Sequence, residues 1–292
     1  MKILITGSDG QLGRELSVSL EYKRTALGVP AILKEETETI LTDASTLDIT
    51  DEDSVMRFAK ESRPDVIINC AAFTNVNACE SERDAAINVN AYGVRNLAMA
   101  ANEVNATLVH ISTDYVFSGE GDTPYTENDI TNPINEYGRS KLEGERFALM
   151  AKKVFVIRTS WLYGIYGNNF VKTILSKAKD QKELHVVSDQ YGTPTNAEDL
   201  AHHVLTLIGT KSYGIYHASG MGVTSWYEFA KTALDFYGSD ALLLPCKTED
   251  YPTPARRPKY SALENKKLND LGLNEFRDWK DALCAFINKL ER

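Results

Sequence analysis

The sequence predicts an α/β protein: a Rossmann-type, doubly wound parallel sheet with a smaller, mixed α/β lobe towards the C-terminus. Three observations predict it. Short runs of apolar residues alternate with amphipathic helical stretches over the first 160 residues or so. The first of these runs leads straight into a glycine-rich turn. After about Trp161 the rhythm changes to longer loops rich in Gly, Asn and Pro. Strands alternating with helices imply βαβ units and a parallel sheet covered on both faces. The expected division is residues 1–160 for the sheet domain and 161–292 for the second lobe, with sheet elements shared between them.

The elements follow in order. Ile3-Leu4-Ile5 is the first strand, and residues 11 to about 22 form the first helix. Residues 23–39 show no clear pattern, and Ile40-Leu41-Thr42-Asp43 ends the next strand. A helix is expected at 53–61, where Val55, Phe58 and Ala59 share one side, and a strand at 65–69. The 85–102 segment is helical, with Val89, Val94, Leu97 and Ala101 on one face. A strand at 107–111, a helix opened by Pro133 and running through Glu143 and Leu149, and a strand at 154–157 complete the sheet domain. Beyond it, helices are expected at 170–179, 197–208, 225–237 and 279–290. The stretch 251–258, with three prolines, cannot be helix interior, because proline removes a donor and restricts the residue before it.

Composition narrows the function classes. Of the 292 residues 43% are hydrophobic and 25% charged, which is ordinary for a globular protein with a sizeable core. A net charge of −9 argues against a general nucleic-acid or anionic-membrane binder, so an anionic substrate needs a local basic patch. Cys70, Cys79, Cys246 and Cys284 have neither CxxC nor metal-ligand spacing and read as free thiols of a reducing compartment. The chain opens on Lys2-Ile3-Leu4-Ile5-Thr6 without a signal-like stretch, and no run of about 18 apolar residues occurs, so cytoplasm is the expected location.

Gly7-Ser8-Asp9-Gly10-Gln11-Leu12-Gly13 lies between the first strand and the first helix. Glycines let backbone approach a ligand, and the helix N-terminus offers N–H groups to a pyrophosphate. In this context dinucleotide binding outweighs a plain turn. Asp43, at the end of the second strand, suits a ribose diol and points to NADH; Lys34 and the stretch before it leave NADPH open. Asp48, followed by Ile49, either meets the adenine or caps the next helix. Asn69-Cys70-Ala71-Ala72, with Phe73 and Thr74 next, ends a strand in small side chains that let a cofactor lie against the sheet.

Ser112 or Thr113, at another strand end, can donate a hydrogen bond to a carbonyl that gains charge on reduction. Two dozen residues on come Tyr137 and Lys141, one helical turn apart. A free phenol has a pKa of about 10, and an adjacent ammonium favours its ionised form, which suits a general acid/base. Taken alone, each of these features is as readily a turn or a solvated helix face.

The ordered set is more specific. Gly-x-x-Gly-x-x-Gly, Asn-x-Ala-Ala, Ser-Thr-Asp-Tyr-Val-Phe and Tyr-x-x-x-Lys, spread over residues 7–141, resemble the extended short-chain dehydrogenase/reductase family. Ala71-Ala72-Phe73-Thr74-Asn75-Val76, Arg158-Thr159-Ser160-Trp161-Leu162-Tyr163, Asp189-Gln190-Tyr191-Gly192-Thr193-Pro194-Thr195 and Tyr251-Pro252-Thr253-Pro254 carry the likeness across almost the whole chain. They resemble the branch that reduces the C4 ketone of dTDP-4-dehydro-β-L-rhamnose with NADH or NADPH. The resemblance implies that residues 1–160 bind the dinucleotide and that 161–292 mainly bind the dTDP-sugar. It implies that Tyr137 protonates the C4 oxygen, Lys141 lowers the tyrosine's pKa and holds the nicotinamide ribose, and Thr113 bonds the carbonyl. Carried over in the same way, Gly10, Gln11, Leu12, Asp43, Asp48 and Ile49 lie near phosphates and adenosine, while Ala72, Phe73 and Thr74 line the cofactor. Asp114 and Trp161 meet the sugar nucleotide.

Arg256 and Arg257 offer forked donors to a diphosphate, although two adjacent arginines are as readily surface charge. Some members of the branch dimerise through Mg2+ held by glutamates; Glu15 and Glu198 match two such positions without a secure third, so no residue is assigned as a metal ligand and monomer and homodimer both stand. Three rivals share these motifs. A sugar-nucleotide dehydratase carries Asp-Glu where this chain has Asp114-Tyr115, and so keeps a second acid/base group that is absent here. An epimerase matches the C-terminal motifs less closely. The regulatory β subunit of methionine adenosyltransferase resembles these reductases but binds a partner.

Overall fold

Strands that are apolar at every position must be covered on both faces, and the computed structural model, which describes residues 1–290, contains both covers. The first half runs β1 (Lys2–Thr6), α1 (Gln11–Glu21), β2 (Glu38–Thr42), α2 (Glu52–Ser62), β3 (Val66–Asn69), α3 (Ala78–Ser81), α4 (Arg83–Ile87), α5 (Gly93–Val104), β4 (Thr107–Thr113), α6 (Glu136–Ala148) and β5 (Val154–Thr159). The second half runs β6 (Leu162–Tyr163), α7 (Phe170–Asp180), β7 (Glu183–Val187), β8 (Tyr191–Gly192), β9 (Thr195–Asn196), α8 (Ala197–Ile208), β10 (Gly214–His217) and β11 (Thr224–Ser225). It closes with α9 (Trp226–Tyr237), β12 (Leu242–Cys246), α10 (Lys266–Asp270) and α11 (Trp279–Leu290).

Six strands pair in parallel in the order β2-β1-β3-β4-β5-β10. Alternate residues enter opposite cores. Ile3, Ile5, Val66, Ile68 and Val109 pack with Leu12 and Leu16 of α1 and Leu200 and Val204 of α8. Leu4, Ile67 and Leu108 pack with Val55 of α2 and Val94 and Leu97 of α5. The first face is therefore finished by a helix from the second half of the chain, and β10 extends the sheet from there. A third core joins α7, α9 and α11 to the parallel pair β7-β12 through Leu175, Leu184, Phe229 and Phe286. Among the described residues no helix is long and apolar enough to cross a membrane.

Three local readings change. Residues 23–37 lack periodicity because they wrap over an edge: the 3₁₀ turn Ala31–Lys34 plants Ile32 and Leu33 in the first core, and Lys34 stays exposed. Each such buried aliphatic contributes about 1.5–3 kcal/mol, so the segment before β2 is anchored rather than loose. Asp51, not Asp48, caps α2, its carboxylate accepting the Ser54 N–H at 3.0 Å; Asp48 instead folds a turn on Thr50 N at 2.9 Å. The helix expected over 85–102 begins earlier, at Arg83, and carries a π turn over Asn88–Tyr92. Within that turn the buried Asn90 faces the loop after β3 and α6, and π bulges are common near functional sites.

Candidate active site

In an open parallel sheet, ligands sit beyond the carboxyl ends of the strands where the chain reverses direction, here between β1 and β3. A cavity of about 560 Å³ opens there. Its wall includes Gly10, Gln11, Leu12, Gly13, Ala72, Thr74, Ser112, Thr113, Asp114, Tyr137, Lys141 and Trp161.

Only the first glycine of the loop is left-handed. Gly7 has φ 65°, and a Cβ on it would stand 2.6 Å from the Ala71 nitrogen. Gly10 is extended at φ −70° and precedes α1 without a side-chain cap, so Gln11, Leu12 and Gly13 present free N–H groups to the cavity. The Gln11 side chain is already committed: Nε2 donates to the Leu162 carbonyl at 3.1 Å, and Oε1 accepts from Asn169 at 3.0 Å. Its backbone is therefore what remains for an anion. These uncapped donors, a cradle that a Cβ would fill, and the small side chains of Ala71 and Ala72 fit a pyrophosphate-bearing dinucleotide.

Asp43 lies just past β2, its Oδ1 accepting from the backbone and hydroxyl of both Ser45 and Thr46. Those bonds hold its carboxyl down at about 2, so it is ionised. Asp48 is exposed, whereas the Ile49 side chain lies in the second core under Gly93, leaving only its backbone to meet a ligand. Phe73 is fixed by Asn90, whose Oδ1 accepts the Phe73 N–H at 2.8 Å and whose Nδ2 donates to the Phe73 carbonyl and to the Ser140 hydroxyl, both at 3.0 Å. One buried amide thus clamps the small-residue loop to the Tyr137 helix.

Asn135 caps α6 by accepting the Gly138 N–H at 2.8 Å, and its Nδ2 donates to the Arg256 carbonyl at 2.8 Å. Tyr137 and Lys141 follow on the inward side of that helix. Lys141 is 2% exposed, and its ammonium donates to the Ile111 carbonyl at 2.6 Å. Burial pulls it down to about 8, against the opposing pull of Glu145. The half-buried phenol of Tyr137 is shifted up by its low-dielectric surroundings, and the Thr113 hydroxyl beside it draws it partly back. The Lys141 ammonium donates to the Ile111 carbonyl on the same wall, while the Thr113 hydroxyl lies next to the phenol itself.

Neither hydroxyl of the Ser-Thr pair is idle. Ser112 donates to Glu145 at 2.5 Å and Thr113 donates to Asp114 Oδ1 at 2.9 Å. Asp114 is buried, and burial pushes its carboxyl up to about 7.

Tyr115 occupies the position of the dehydratase glutamate. Its ring meets that of Tyr137 edge-on at 5.7 Å, and its hydroxyl accepts from Arg257 Nη1 at 3.0 Å. Arg257 Nη2 also donates to Asn77 at 3.2 Å. Arg257 lines a second cavity of about 370 Å³ together with Gln190 and Trp226. Trp226 stacks face to face on Trp161 at 3.5 Å, so that stack divides the two hollows. Trp161 holds a left-handed backbone, φ 47°, uncommon for so large a residue and typical of strained functional positions. Arg256 is exposed and lines only an outer groove, which Arg257 also borders. Asn77, Asn90, Asn135, Glu145 and Trp226 escaped the sequence reading, and so did the contact of Tyr115 with Arg257; an Asn just ahead of a helical pattern was the one available signal, at Asn135.

Glu15 and Glu198 do approach each other. Burial and the Glu198 charge push Glu15 up to about 7. The third party is a cation: Lys289 donates to Glu198. No group of three or more His, Cys, Asp and Glu that could hold a metal occurs among the described residues, so the Mg2+ that the resemblance left possible gains no support here.

A family model described as the RmlD substrate binding domain matches residues 1–292. The spore coat polysaccharide biosynthesis protein SpsK of Bacillus subtilis is 40% identical over 99% of this chain and 97% of its own. The crystal structure of a dTDP-4-dehydrorhamnose reductase from Clostridium acetobutylicum superposes with a TM-score of 0.94 at 46% identity, covering 100% of both chains. The dTDP-4-dehydrorhamnose reductase of Bacillus anthracis, solved in complex with NADP, gives a TM-score of 0.92 at 42% identity over 99% of both chains. With a full-length family match and relatives this similar over their whole length, the chain belongs to the dTDP-4-dehydrorhamnose reductase family.

Proposed function

We infer that this protein reduces the C4 ketone of dTDP-4-dehydro-β-L-rhamnose to the alcohol of dTDP-β-L-rhamnose, the last step of dTDP-rhamnose synthesis. The observation that carries the reading is the meeting of a protonated phenol, Tyr137, a buried ammonium, Lys141, and the Thr113 hydroxyl in one cavity with the Gly7 loop. When bound, the nicotinamide supplies the hydride for C4. Tyr137 delivers its phenolic proton to the C4 oxygen, so that one hydride and one proton convert C=O to CH–OH. Thr113 orients that oxygen and shares the charge left on the phenol. Lys141 faces the same wall and steadies the phenolate with its positive charge.

Tyr115 argues against elimination. Where a dehydratase needs a second carboxyl, a phenol stands, its own pKa raised by burial and its hydroxyl engaged by Arg257. Gly10, Gln11, Leu12 and Gly13 are assigned to the coenzyme phosphates, Asp43 and Asp48 to the adenosine side, and Ala71–Thr74 and Ser112 to the nicotinamide half. Asp114, Trp161 and Arg257 are assigned to the sugar nucleotide, with Arg256 at its outer edge. Both coenzymes are proposed: ionised Asp43 suits the free 2′-hydroxyl of NADH, and the B. anthracis relative holds NADP.

Steady-state kinetics with NADH and NADPH on the dTDP-sugar ketone tests substrate, reaction and coenzyme at once. Oxidation of neither coenzyme in the presence of that ketone defeats the reading. Arg257→Met is expected to raise the KM for the dTDP-sugar about 10- to 100-fold, the loss of a charge-assisted contact worth roughly 1.5–3 kcal/mol. The coenzyme KM should stay unchanged, because Arg257 lies beyond the tryptophan stack.

A further inference from the structure

Tyr137, Lys141 and Glu145 succeed one another at four-residue steps, which places all three on one face of α6. Glu145 is 2% exposed and does not line the cavity. Both oxygens of its carboxylate are nevertheless engaged: Oε1 accepts from Ser112 Oγ at 2.5 Å and Arg158 Nε at 2.8 Å, and Oε2 accepts from Arg158 Nη2 at 2.7 Å. Arg158 is itself buried on β5, with Nη1 3.4 Å from His217 Nε2. Stability alone is a weak reason for such a pair, since an apolar pair of similar volume is commonly as stable. The position of the carboxylate, one turn beyond the buried ammonium, offers a better one.

We propose that Glu145 is a positioning residue of the reduction: its fixed charge keeps Lys141 in the ammonium form, and Ser112 and Arg158 keep that charge in place. This rests on the role given to Lys141 above. Among the groups around Lys141, Glu145 is the first to favour the ammonium, followed by the Cys70 thiol. Tyr137 on the same helix is held protonated by burial, as is the Cys70 thiol at the end of β3, pushed up to about 12. His110 on β4 is kept neutral by burial and by Lys141 itself. Arg158 on β5 is a cation and faces Glu145. Burial favours the free amine of Lys141, and Glu145 is the chief force opposing it.

The test is the pH dependence of kcat for Glu145→Gln, which keeps the side chain's shape. Removing the anion lowers the lysine's pKa, and the uncompensated Arg158 lowers it further, so the alkaline limb should move down by about one pH unit. Activity then falls about tenfold on the alkaline side and recovers in mildly acidic buffer, a shift of one pKa unit being a factor of ten. In Glu145→Gln/Arg158→Gln, which keeps the buried charge balanced and so protects the fold, the limb should lie between the single variant and wild type. An equal loss of kcat at every pH, with the limb unmoved, overturns the proposal and leaves Glu145 a purely structural group. The titration of Lys141 followed by ¹³Cε-lysine NMR reads the same shift without turnover. It therefore decides the matter even if the wild-type protein fails to reduce the dTDP-sugar, an outcome that defeats the functional reading alone.

Discussion

Tyr137→Phe is expected to lower kcat about 10²- to 10⁴-fold, the usual worth of a positioned general acid. The substitution removes one oxygen and leaves the ring. The edge-on contact with Tyr115 at 5.7 Å is between rings, so packing and melting temperature should hardly change. Dinucleotide binding, measured by fluorescence titration, should also persist, because the phosphate donors of the Gly7 loop are untouched. A tenfold change in rate is about 1.4 kcal/mol, so the loss amounts to roughly 3–5 kcal/mol of transition-state stabilisation.

The direction of the tyrosine's pKa matters here. A phenol shifted up by burial is fully protonated in neutral buffer, the correct resting state for a proton donor in a reduction. The reverse reaction, oxidation of the product alcohol, needs the phenolate and should be confined to alkaline pH. Turnover retained in Tyr137→Phe would assign the proton to another group, with Asp114, pushed up to about 7, the first to examine.

What could be read in the sequence was local. The Gly7 turn, the Tyr137-Lys141 spacing and the strands around Ile67 and Val109 are each encoded within a few residues, and the structure forms them where they were expected. What could not be read depends on chain ends meeting. Arg257 reaches Tyr115 across 142 positions, and Asn135 reaches Arg256 across 121. The Trp161–Trp226 stack forms only once α9 is docked. Glu15 and Glu198 were matched to metal-holding positions through the family resemblance alone, which says nothing of what lies opposite; α11 brings Lys289 to Glu198. The edge strand β2 was legible only at its end, since an edge strand carries polar residues and loses its apolar signature.

Gly7→Ala should cost both stability and coenzyme binding, and the two losses have separate causes. The left-handed backbone at φ 65° costs an alanine about 1–2 kcal/mol. The new Cβ would also stand 2.6 Å from the Ala71 nitrogen, 2.7 Å from its Cα and 2.8 Å from the Cys70 carbonyl carbon, all backbone. Those atoms cannot yield singly, because Cys70 N donates to the Thr6 carbonyl at 3.0 Å and Thr6 Oγ1 donates to Asn69 Oδ1 at 2.8 Å. The loop must lift, carrying the free N–H groups of Gln11, Leu12 and Gly13 away from the pyrophosphate. A combined destabilisation of about 3–5 kcal/mol lowers the melting temperature by about 10 °C for a chain of this size. The coenzyme Kd should rise at least about 100-fold, equivalent to some 2.7 kcal/mol. Gly28→Ala separates the two causes: Gly28 has φ 131° but nothing within 4 Å of its would-be Cβ, so strain alone applies. That variant should melt earlier yet bind coenzyme normally, whereas normal binding by Gly7→Ala would remove the Gly7 loop from the coenzyme site.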